Sequence, residues 1–168
     1  MPQGWESFYL LIGGAAGALI GLLFVVITLT AELNPAETTV GSKVYVSPTV
    51  FHFATVFVIS AAALVPEGGP AFIGLLVTAL ALIGIGYSLM IVLRLARRQP
   101  APTHWSDWIY YGLFPCAAYV SLAIAGVAFW SGRAFAADVT AAGSIVLLLI
   151  GIRDAWDVAL WISQHPPK

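Results

Sequence analysis

The chain has 168 residues, 60% of them hydrophobic and only 9% charged, with a formal net charge of −1. Soluble domains carry about a quarter of their residues as charged side chains, so this composition excludes an ordinary soluble domain, and the near-neutral balance gives no electrostatic basis for a nucleic-acid partner. A single cysteine, Cys116, excludes an internal disulfide or a cysteine-built metal cluster, and His52, His104 and His165 are too scattered for metal-ligand spacing, so no cofactor is expected.

The first apolar run covers residues 8–30. It is too long for a signal-peptide core of ~7–15 residues and no Lys or Arg precedes it, so it reads as a retained helix. Within it Gly13, Gly17 and Gly21 recur every fourth residue; Thr28 continues the stripe and Glu32 ends it. Such a face lets another backbone approach closely, in this chain, in a second subunit, or around a pore.

The second run, 48–65, opens on Ser47 as a helix cap with Pro48 at the first helical position. The turn PEGGP separates it from the third, 71–93, which carries a weaker small-residue face at Gly74, Thr78, Ala81 and Ser88. The fourth, 108–130, is capped by Ser106 or Asp107 and has a similar face at Ala118, Ser121, Ala125 and Ala128. Pro115 lies inside it, removes a helical hydrogen bond at the carbonyl of Tyr111, and reads as a kink or a hinge. The fifth, 139–158, follows Asp138 as a cap and carries Arg153, Asp154 and Asp157 toward its end. Each run can cross ~30 Å of hydrocarbon as a helix. The expected fold is therefore all-α: one domain over residues 1–168, an integral bundle of five transmembrane helices.

Lys and Arg set the orientation. Lys43, Arg94, Arg97, Arg98, Arg153 and Lys168 fall on one side of a five-span threading and Arg133 on the other, which places the N-terminus outside and the C-terminus in the cytoplasm. A four-span threading, with the last run lying in the interface, would move the C-terminus outside. Tryptophans and tyrosines near the run ends, among them Trp5, Tyr9, Trp105, Trp108, Trp130, Trp156 and Trp161, suit membrane interfaces.

Charges at the exit of a span need protein or water rather than lipid around them. With Asp138 as the cap, Arg153 lies ~22 Å along the last helix and Arg153 and Asp157 can pair. Glu32, His52, Arg94 and Asp107 reach the same side from the other four helices. The expectation is a cytoplasmic polar cluster of Glu32, His52, Arg94, Asp107, Arg153, Asp154 and Asp157, acting as an inter-helix latch, as a vestibule for an ion, proton or small polar ligand, or as a set of unconnected snorkelling side chains. No serine–histidine pair or paired membrane aspartates point to an enzyme, and Cys116 has no base near it in sequence.

The opening stretch GWESFYLLIGGAAGALIGLLFVVITLT resembles the N-terminal signature of small bacterial multi-span membrane proteins of unassigned function, in which an aromatic pair precedes a Gly/Ala-rich first span ending in Gly-Leu-x-Phe-Val. The resemblance covers about the first thirty residues. It implies a bacterial inner membrane and brings no activity with it. Two functional expectations follow from the residues: a small homo-oligomeric channel or permeation protein with a charged cytoplasmic vestibule, or a non-catalytic accessory or scaffold subunit of a larger membrane complex.

Overall fold

A helix can cross lipid only if its own backbone takes up its hydrogen bonds and its side chains tolerate hydrocarbon, and the described residues form apolar helices of that kind. The computed structural model describes residues 4–33, 47–66, 68–97 and 109–164. Among the described residues there is no strand. The order is α1 (Glu6–Leu33), α2 (Ser47–Ala63), α3 (Pro70–Arg97), a π-helical turn (Ile109–Leu113) running into α4 (Phe114–Trp130), and α5 (Phe135–Gln164).

Three of these helices are long and apolar enough to cross a membrane, over Glu6–Thr28, Pro70–Leu93 and Phe135–Asp157. The apolar helices Pro48–Ala63 and Phe114–Trp130 are shorter. At 17 residues each, α2 and α4 rise about 25 Å, short of the ~30 Å core. Large apolar side chains such as Leu11, Phe24, Leu75, Leu82 and Leu149 stand exposed around the outside, as lipid-facing residues do.

Small residues decide which helices touch. A Cβ built on Gly13 would lie 2.7 Å from Ser60 Cβ, and one on Gly17 would lie 3.5 Å from the Phe57 ring, so α1 packs along α2 in the opposite direction. Gly74 and Thr78 of α3 meet Gly126 of α4, while Gly84 meets the Tyr119 ring and Gly112 meets Val92, which makes α3 and α4 another antiparallel pair. Gly143 faces Leu122 and Gly151 faces Phe53, setting α5 between α4 and α2. Tyr9, Ile12, Val56, Ile59, Val77, Tyr119, Leu122 and Leu147 fill the common core.

The α4–α5 turn shows how a helix stops here. Gly132 takes φ +63°, a left-handed conformation that costs glycine nothing. Its N–H donates to the Phe129 carbonyl at 3.2 Å, and the Arg133 N–H donates to that of Ala128 at 3.0 Å. This Schellman arrangement closes α4 and lets α5 begin at Phe135. Asp138 therefore sits in the first turn of α5 rather than capping it. Arg153 lies about 27 Å along the helix, nearer its far edge than a start at Asp138 would put it.

Pro115 also sits differently from a mid-span break. It occupies the first turn of α4, directly after the π-helical turn. Proline cannot donate to the carbonyl four residues back. A π turn pairs residues five apart, so the ladder passes over the missing donor.

Candidate functional site

The chain direction brings one end of four elements to the level of the expected polar cluster: the last turns of α1 and α3, the first turn of α2 and the π-helical turn before α4. The last helix, α5, passes that level at residues 153–157 before running on to Gln164. Glu32 and Arg94 lie within α1 and α3, but their side chains fall outside the described residues, as does the whole of Asp107. His52, Arg153, Asp154 and Asp157 are described, and they divide into three environments.

His52 is 2% exposed. Its Nδ1 lies 2.8 Å from Tyr119 Oη, a hydrogen bond from α2 to α4 in which the phenol donates when the imidazole carries its proton on Nε2. Phe51 packs on the same tyrosine and Tyr87 of α3 packs on Phe51, extending an aromatic patch toward α3. A buried polar group is tolerated when its partner is fixed, and Gly84 gives Tyr119 the room to stand there. Tyr119→Phe removes the hydroxyl and leaves the imidazole nitrogen buried without it. A loss of about 1–3 kcal/mol is expected, read as a lower unfolding midpoint in detergent and absent when His52 is already replaced by Phe.

Arg153 turns outward. Its Cζ stands 3.7 Å over the centroid of the Tyr110 ring, and its Nη2 lies 3.6 Å from Asp157 Oδ2. The first contact is a cation–π interaction; the second is an ion pair one helical turn apart whose two side chains are each 37% exposed. The first ties α5 to the π-helical turn, which is what a latch requires; the second holds the guanidinium from within α5.

Asp154 turns inward. It is 1% exposed and neither carboxyl oxygen has a hydrogen-bond partner. No hydrogen bond or ion pair joins it to His52. It lies one turn beyond Gly151, whose bare Cα seats the Phe53 ring. Because α2 runs antiparallel to α5, this level is the first turn of α2, where Thr49 is fully buried. A buried carboxyl without a donor is costly in a packed interior, and costlier inside a membrane.

The glycine face of α1 is shared between two surroundings. Gly13 and Gly17 are taken up by α2, whereas Gly21 has nothing within 4 Å of a built Cβ. Thr28 is exposed and donates to the Val25 carbonyl at 2.9 Å. Gly14, on the outward side, is also open. Cys116 is half-buried beside Pro115. Among the described residues, no group of three His, Cys, Asp or Glu is placed to hold a metal ion.

The sequence alone missed Tyr119 and Tyr110, the partners of His52 and Arg153. Both carry a polar tip inside the apolar run YYGLFPCAAY, which is the signal that could have marked them. No protein family, curated protein or solved structure matches the chain.

Proposed function

We propose that the chain is an inner-membrane protein of bacterial type that crosses the bilayer five times, N-terminus out and C-terminus in, and works as a small homo-oligomeric channel for a cation. Its cytoplasmic mouth is the cluster around Asp154. The π-helical turn extends the helical run of α4 to residues 109–130, which supports a crossing there, and the Lys and Arg distribution supports the orientation.

The observation that carries this reading is the buried, unpartnered carboxyl of Asp154. A latch would engage its carboxylate, as Arg153 engages Asp157. Asp154 is instead held ready for a positively charged species arriving from the inner mouth, with Arg153 and Asp157 beside it.

Gly14 and Gly21, open on the outer side of α1, favour a second reading: a non-catalytic accessory subunit that docks this face on another membrane protein. Reconstitution separates the two. The purified protein in liposomes is expected to be an oligomer that passes monovalent cations, with Asp154→Asn lowering flux severalfold and Arg153→Ala changing it as well. A monomer without flux, recovered only with another membrane complex, would overturn the channel and support the accessory subunit.

A further inference from the structure

Hydroxyls inside this bundle ordinarily bond to their own helix. Thr55 donates to the Phe51 carbonyl at 2.9 Å, Thr78 to Gly74 at 2.7 Å, Ser121 to Ala118 at 2.7 Å and Thr140 to Ala136 at 2.8 Å. This back-bonding is what serine and threonine do in apolar helices. Ser60 of α2 and Ser144 of α5 depart from it. They are 1% and 0% exposed, and the Oγ of each has no partner, as is also true of Ser88 in α3, 1% exposed.

Their positions are related. Phe53 meets Gly151 across the α2–α5 seam. Seven residues on from Phe53 is Ser60, and seven back from Gly151 is Ser144. Seven residues is about two helical turns, so on antiparallel helices both serines return to the same seam at one level. Gly13 of α1 closes that level from the third side, since a Cβ there would lie 3.3 Å from Ser60 Oγ. Two buried hydroxyls, each with capacity to donate and accept, thus converge where α1, α2 and α5 meet.

We infer that Ser60 and Ser144 form a binding site for water inside the bundle, with the hydroxyls and nearby helix carbonyls as its partners. Buried water in proteins is held by two to four such groups, and a polar atom in lipid surroundings has no other solvent. The site is separate from the Asp154 cluster: Leu147, Phe53 and Val56, all fully buried, lie between them. It does not depend on the chain conducting ions.

X-ray radiolytic footprinting of the full chain in lipid nanodiscs tests this, because radicals born from bound water oxidise the side chains beside it. Leu147, one turn from Ser144, is expected to be oxidised severalfold faster than Val77, which is equally buried in the α3–α4 seam. In the double variant Ser60→Ala with Ser144→Ala, Leu147 is expected to fall to the Val77 rate. Equal rates for Leu147 and Val77 in the unmodified protein would overturn the inference, and that comparison needs no variant to fold. Fast oxidation of Leu147 that persists in the folded double variant would overturn it too.

Discussion

Gly126→Ala, at the closest backbone approach of α3 and α4, is expected to lower the unfolding midpoint. The new Cβ would lie 2.8 Å from the Thr78 backbone nitrogen and 3.0 Å from the Gly74 carbonyl oxygen, and would collide with Thr78 Oγ1. Two of these three neighbours are backbone, and the hydroxyl is held to the Gly74 carbonyl at 2.7 Å. The hydroxyl can leave only by giving up that bond and the backbone atoms cannot rotate away, so the helices must separate. Overpacking of this kind costs about 1–3 kcal/mol, with backbone clashes at the upper end. The gain in helix propensity from Gly to Ala, about 1 kcal/mol, does not offset it.

Gly86→Ala is the matched control. It lies in α3, exposed and with nothing within 4 Å of its built Cβ, so propensity alone acts and the midpoint should hold or rise. Thermal unfolding of both variants in the same detergent decides the matter. Equal midpoints would mean that the close crossing of α3 and α4 does not hold the fold together.

The five helices were legible as apolar runs, and their approximate limits followed from length. The ends were less so, because a helix stops where its hydrogen bonds are capped rather than where apolarity stops. Thus α5 starts at Phe135 because Gly132 closes α4, and α3 continues to Arg97 past the last apolar residue. The glycine stripe of α1 shows a different limit. Residues spaced by four advance about 40° per step around a helix of 3.6 residues per turn. By Gly21 the stripe has rotated roughly 80° from Gly13, which carries it out of the α2 seam and into the open.

Pairings between helices were the hardest part to read. His52 and Tyr119 are 67 positions apart, and no local pattern links them. The same holds for Gly84 and Tyr119, or Gly126 and Thr78: each small residue was visible, but not which helix would press against it. Of the charged cluster, the grouping at the end of α5 was readable from spacing. Its division into an outward ion pair and an inward carboxyl depends on which side of α5 faces α2, and that is fixed by the Gly151–Phe53 contact.

That division makes the effects of neighbouring substitutions opposite in sign. Asp154→Ala removes a 1% exposed carboxyl whose two oxygens have no hydrogen-bond partner. The desolvation cost of such a group, about 1–3 kcal/mol and more when charged, is relieved, and alanine is the better helix former. The small space left by deleting the three carboxyl atoms offsets only part of this. The unfolding midpoint should therefore rise. Arg153→Ala, one residue earlier, gives up the Tyr110 ring and the Asp157 pair, and should fall by roughly 0.5–1 kcal/mol at this half-exposed position. A rise at Asp154 combined with lost flux is the pattern of a residue kept for function at the expense of stability. A fall at both positions would assign the whole cluster to holding α5 in place, and the proposed cation site would have no carboxyl left to stand on.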